Sequence, residues 1–66
     1  MKTIGEIIKN KRLERGLTQA QLGEEAEVTQ GAVFKWESGT TIPNAFSLMA
    51  LADVFGCTID ELCGRA

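Results

Sequence analysis

Little in this sequence could do covalent chemistry. It contains no His and no Tyr, which removes the usual general base and the commonest metal ligand. Its two cysteines, Cys57 and Cys63, lie six residues apart, and a zinc-finger-type site needs about four N or S ligands; no such site forms within one chain. The rest of the sequence reads as a domain of a reducing compartment, so the thiols are expected free and buried rather than bridged. No nucleophile and base pair and no glycine loop for phosphate is present, which argues against an enzyme, a metal or a cofactor. What remains is recognition chemistry. Gln30, Gly31, Phe34, Lys35 and Ser38 recur at spacings of three and four, so they share one face of a helix. A Gln carboxamide can pair with adenine N6 and N7 together, a Lys can reach guanine O6 or N7 or a phosphate, and a Phe can pack on a thymine methyl. Gly31 presents no side chain and permits close approach.

Those residues need a frame, and the punctuation of the chain supplies one. Thr3, Thr18, Thr29 and Thr58 each precede a helical pattern, and Gly16, Gly39 and Gly56 each follow one. Thr3 with Glu6, Thr18 with Gln21 and Thr58 with Glu61 have the spacing of a capping box. Leu17 with Leu22, Val28 with Val33, and Cys57 with Leu62 have that of a hydrophobic staple. Pro43 and Asn44 open a further segment, with Asn44 a good cap. The spacing predicts five helices at about 4–15, 19–26, 30–38, 45–55 and 59–63. No segment alternates with period two, so the fold class is all-α.

Inward faces follow from register. In the first helix Ile4, Ile8 and Arg12 form one stripe, widened by Ile7; in the third, Glu37 continues the stripe of Val33 beside Trp36. An Arg and a Glu on two inward faces imply a partly buried ion pair between Arg12 and Glu37, the alternative being that both snorkel to water. The rest of the core is expected from Leu17, Leu22, Ala26, Val28, Ile42, Leu48, Leu51, Ala52, Phe55 and Leu62, with Phe46 placed on the surface. The second and third helices are joined by three or four residues, locked by Leu22, Ala26, Val28, Val33 and Trp36, with Gly23 at a point of close approach. That is helix-turn-helix grammar, over about residues 19–38.

Charge and length bound the partners. Seven Lys and Arg face nine Asp and Glu, a net charge of −2, which taken alone argues against nucleic acid. Six of the seven cations, however, fall within residues 1–38 (Lys2, Lys9, Lys11, Arg12, Arg15 and Lys35). Phosphate contacts are expected from the start of the second helix, at Thr18 and Gln19; from Thr40, Thr41 and Asn44 after the third; and from Lys11 ahead of Lys9 and Arg15. With 66 residues the chain makes one domain over 1–66, stable by a modest margin. No apolar run approaches the roughly 18 residues of a membrane span, and the start lacks the features of a secretion signal. An initiating Met and a short tail after Leu62 fit a complete small protein of the cytoplasm.

At this point the sequence resembles a known family, the Cro and phage-repressor type of helix-turn-helix, often called XRE. The resemblance is carried by Ile4-Gly5-Glu6, Arg12, Gly16-Leu17-Thr18-Gln19, Leu22, Val28-Thr29-Gln30, Val33, Trp36-Glu37-Ser38-Gly39, Pro43, Leu48, Leu51-Ala52, Gly56 and Ile59-Asp60-Glu61-Leu62. It implies a five-helix, lambda-repressor-like domain that binds double-stranded operator DNA as a homodimer. Gln19 would touch phosphate, and Gln30, Gly31 and Lys35 would stand at base-reading positions. It also supports the Arg12–Glu37 pair, and places a dimer contact between the fourth and fifth helices, at Cys57, Thr58, Ile59 and Leu62. Glu27 departs from the Gly usual at that turn, where a left-handed backbone is expected. The acidic balance, Phe34 and Phe46 motivate an alternative: a protein-interaction module, or an antitoxin-type protein, on the same fold.

Overall fold

A computed structural model describes residues 3–65. The chain runs through α1 (Ile4–Glu14), α2 (Gln19–Ala26), α3 (Gln30–Ser38), α4 (Ala45–Phe55) and α5 (Ile59–Leu62), with no strand among the described residues. The fold is all-α, as the capping residues require. Thr18 accepts from the Gln21 amide at 3.0 Å while the Gln21 side chain accepts from the Thr18 amide at 2.8 Å; Thr58 and Glu61 form the same reciprocal box. Thr29 caps α3 through the Ala32 amide, and Asn44 caps α4 through the Ser47 amide at 2.9 Å. At Thr3 the hydroxyl accepts from the Glu6 amide, but the Glu6 carboxylate accepts from that same hydroxyl at 3.2 Å, so the box expected there is half formed. Gly39 and Gly56 end α3 and α4 with left-handed backbone.

The buried core draws on every helix: Ile8, Leu22, Ala26, Val33, Trp36, Leu51, Phe55 and Leu62. Ile4, Ile7, Leu17, Val28, Leu48 and Ala52 pack half-buried around it. One expected core residue is displaced. Ile42 is 75% exposed, and the neighbouring Pro43 is buried instead. The segment between α3 and α4 belongs to no helix or strand, so no periodic register fixes which of its side chains turns inward.

Two close approaches set the helix positions. A Cβ at Gly5 would collide with the Trp36 carbonyl oxygen and lie 3.2 Å from the Glu37 Cα, so α1 crosses directly against the backbone of α3. A Cβ at Gly23 would lie 2.8 Å from the Val28 carbonyl oxygen. The close approach expected at Gly23 is therefore to the turn and the first residue of α3, and it fixes where α3 begins. Within that turn Glu27 has φ 59°, the one non-Gly residue at positive φ among those described. A left-handed conformation costs an L-residue roughly 1–2 kcal/mol. Glu27→Gly is therefore expected to stabilise the fold by about 1 kcal/mol, part of the relief being offset by the freer unfolded chain. For a domain of this size that is a rise in Tm of roughly 4–8 °C, read by calorimetry.

Candidate nucleic-acid interface

The centre of the site is a line of hydrogen bonds from the interior to the surface. Arg12 Nε donates to Glu37 Oε2 at 2.7 Å and Arg12 Nη2 donates to Glu37 Oε1 at 3.0 Å, a two-pronged pair between α1 and α3. Arg12 Nη1 donates to the Leu17 carbonyl at 2.8 Å, which ties down the loop before α2. The side chains are 10% and 5% exposed, so the pair is buried as the helical registers require. The hydrogen bond to Glu37 holds the Arg12 pKa above its ordinary value against the opposing effect of desolvation. The line continues outward: Gln19 Nε2 donates to Glu37 Oε1 at 3.2 Å, and Gln30 Nε2 donates to Gln19 Oε1 at 2.9 Å. Thus the buried pair orients Gln19, and Gln19 orients Gln30.

Around Gln30 the outward face of α3 lies open, with Gly31, Phe34, Lys35 and Ser38 all exposed. The start of α2 adds donors. A helix leaves its first four amides without intrahelical partners; in α2 the capping box satisfies those of Thr18 and Gln21, which leaves those of Gln19 and Ala20 for an outside acceptor. Thr18 itself is committed to the cap through its hydroxyl and its amide.

The remaining expected contacts divide. Thr40 and Thr41 are exposed beside the end of α3, their amides donating to the Lys35 carbonyl at 3.0 and 3.3 Å, and the Thr40 hydroxyl lies 2.9 Å from that of Ser38. Asn44 is exposed, but its side-chain oxygen is taken by the cap of α4. The cations of α1 lie on two sides of the helix. Lys9 lines a shallow groove with Gln19, Phe34, Glu37 and Ser38. Lys11 and Arg15 face the other way, toward the α4–α5 turn, where both act electrostatically on Cys57 and the Arg15 guanidinium lies 3.7 Å from where a Gly56 Cβ would be. The signal was available. Lys9 shares with Leu13 the side of α1 that faces α2, while Lys11 stands about 100° from Arg12 in the opposite sense.

The region expected to bind a second copy also divides. Leu62 has 0% exposure and belongs to the core, so it has no surface to give a partner. Thr58 and Ile59 are exposed and Cys57 is half-buried. Cys57 and Cys63 are both free, half-buried rather than fully buried as expected. Burial pushes the Cys57 thiol up, Lys11 pulls it down, Glu61 adds to the rise and Arg15 opposes it.

A short helix, a tight left-handed turn and a second helix with an open outward face together define a helix-turn-helix fold. The Helix-turn-helix family model matches residues 8–62, and the chain belongs to that family, in its Cro and phage-repressor (XRE) branch. It is 44% identical over 57 residues to the HTH-type transcriptional activator BcrR of Enterococcus faecalis, covering 86% of this chain and 28% of that protein. It is 39% identical over 62 residues to the cryptic phage CTXphi transcriptional repressor RstR of Vibrio cholerae, covering 94% of this chain and 55% of that one. The chain thus spans between about a quarter and a little over half of these relatives' lengths. Among solved structures it resembles the P22 c2 repressor in complex with synthetic operator 9T, at 32% identity and a TM-score of 0.94, covering 100% of both chains. It also resembles SinR, the master regulator for biofilm formation, in complex with DNA, at 26% identity and a TM-score of 0.85, covering 91% of this chain and 97% of that chain.

Proposed function

We propose that this domain binds operator DNA sequence-specifically and regulates transcription from it, with α3 in the major groove. The observation that carries this reading is the surface shared by the outward face of α3 and the free amides of α2, joined by the Gln19–Gln30 bond. Two of the similar structures being complexes with DNA supports it. Gln30, Gly31, Phe34 and Lys35 face the bases; Gln19, Lys9, Thr40 and Thr41 face the sugar-phosphate chain. Two copies related by a two-fold axis, meeting through Thr58, Ile59 and Cys57, would read half-sites about 34 Å apart, one turn of DNA. Such a regulator works in the cytoplasm beside the chromosome and needs no cofactor. Selection from random duplex DNA tests the proposal. An enriched palindrome with half-sites one turn apart is expected, and no enrichment at low salt from folded protein would overturn it.

The charge of this surface makes a second expectation. Arg12 is neutralised by Glu37, which leaves Lys9 and Lys35 as cations of the α3 side. Log affinity falls with log salt by about 0.9 per phosphate neutralised. Four lysines in a dimer therefore give a slope of about −3.6, and participation of Lys11 and Arg15 as well would give about −7. Fluorescence anisotropy across a salt series separates the two.

Ile42, Phe46 and Met49 are exposed, Phe46 by 82%, and they favour a second reading as a protein-interaction or antitoxin-type module. An apolar partner surface of that kind binds with little salt dependence.

A further inference from the structure

The outward face of α3 has an apolar centre. Gln30 is drawn to one flank by Gln19, and Lys35 stands on the other; between them lie Gly31 and, one turn on, Phe34. Phe34 is 55% exposed, a large apolar surface to leave in water in the middle of a polar face. The Phe34 ring borders the groove it shares with Lys9, Gln19 and Ser38, and it leaves the space beside Gly31 open. Gly31 is unexplained by the protein itself. A Cβ there would meet nothing closer than the Thr29 hydroxyl at 3.8 Å, an ordinary contact, and its backbone is helical. Packing at Gly5 and Gly23 forbids a side chain; packing at Gly31 does not. Gly31 stands in the first turn of α3, where neither its backbone nor its neighbours call for a glycine, so its use points to something outside the protein that must come close.

We propose that Gly31 and Phe34 form an apolar notch that reads the C5-methyl group of a pyrimidine in each half-site: thymine, or 5-methylcytosine in its place. This inference rests on the operator-binding reading. The methyl group projects into the major groove, where it is the one apolar feature a base pair presents. The open space at Gly31 admits it and the Phe34 ring covers it, while Gln30 and Lys35 address hydrogen-bonding groups on either side. The domain therefore discriminates sequence partly without hydrogen bonds, and its affinity responds to cytosine methylation at a matching position.

The test uses the selected operator. Each thymine is replaced in turn by deoxyuridine, which removes the methyl and nothing else. At one position per half-site the wild type is expected to lose about fourfold in affinity, the loss set by one buried methyl group. Cytosine at that position should bind more weakly than 5-methylcytosine by a similar factor. Phe34→Ala should bind thymine and deoxyuridine sites equally; since the ring is exposed, the variant should keep its melting temperature. Gly31→Ala should melt no lower than the wild type, since a Cβ there meets only an ordinary contact, yet bind the operator at least tenfold more weakly. A selected site indifferent to every thymine-to-deoxyuridine change overturns the notch and leaves operator binding standing. So does a thymine preference unchanged in Phe34→Ala, or a Gly31→Ala variant that binds as tightly as the wild type. Failure to select any site removes the operator reading, and the notch with it.

Discussion

Glu37→Ala is expected to lower stability by roughly 3–5 kcal/mol, because it leaves the Arg12 guanidinium buried without a countercharge. In the native protein two of its nitrogens reach the Glu37 carboxylate, at 2.7 and 3.0 Å, and one reaches the Leu17 carbonyl at 2.8 Å. Only the last survives the substitution. Native domains are stable by roughly 0.05–0.15 kcal/mol per residue, which for 66 residues is about 3–10 kcal/mol, so this one change could remove most of it. At 4–8 °C for each kcal/mol the melting temperature should fall by roughly 12–40 °C. The paired change Arg12→Met with Glu37→Leu should cost much less than either single change, since it removes both charges together. Thermal melts of Glu37→Ala, Arg12→Met, Glu37→Leu and the double variant decide. A Glu37→Ala protein that melts within a few degrees of the wild type would show that Arg12 finds water when its partner is gone.

The pair was legible in the sequence because helical register is rigid: once Ile8 and Val33 point inward, Arg12 and Glu37 four residues on must follow. Helix ends were legible for a related reason. A capping Thr or Asn and a left-handed residue satisfy backbone groups that have no other partner, so their chemistry is local. The displaced features are those that local rules leave free. Ile42 and Pro43 sit in a segment without periodicity, where neither hydropathy nor register says which one turns inward. Leu62 meets the expectation of a core position and not that of the dimer contact implied by resemblance, because 0% exposure leaves it no outward surface. Lys9 and Lys11 stand on different sides of α1, a distinction that charge alone does not draw and the angle around the helix does. The Gln19–Gln30 bond is of another kind. It joins two flexible side chains eleven residues apart, and only the placement of α2 against α3, set by the backbone approach at Gly23, brings them within 2.9 Å.

That bond changes what substitutions at the interface should do. A Gln carboxamide has two N–H donors and one oxygen. In Gln30 one donor is committed to Gln19, which leaves the second for adenine N7 and the oxygen for the adenine N6 amino group. The bond therefore removes rotational freedom without removing a group that a base needs. Gln30→Ala is expected to lose about 1–3 kcal/mol on the selected site and to relax the preference at one base pair. If Gln19 only gripped phosphate, Gln19→Ala would weaken all sequences alike. As the residue that orients Gln30, it should also blunt the preference at that same base pair, while leaving the preferences read by Lys35 intact. The two changes should then be non-additive, with the double variant losing less than the sum of the single losses. Binding to the selected operator and to its variants at the Gln30 base pair completes the cycle. Full additivity, with base preference untouched in Gln19→Ala, would mean that the two glutamines act independently and that Gln30 needs no help to find its base.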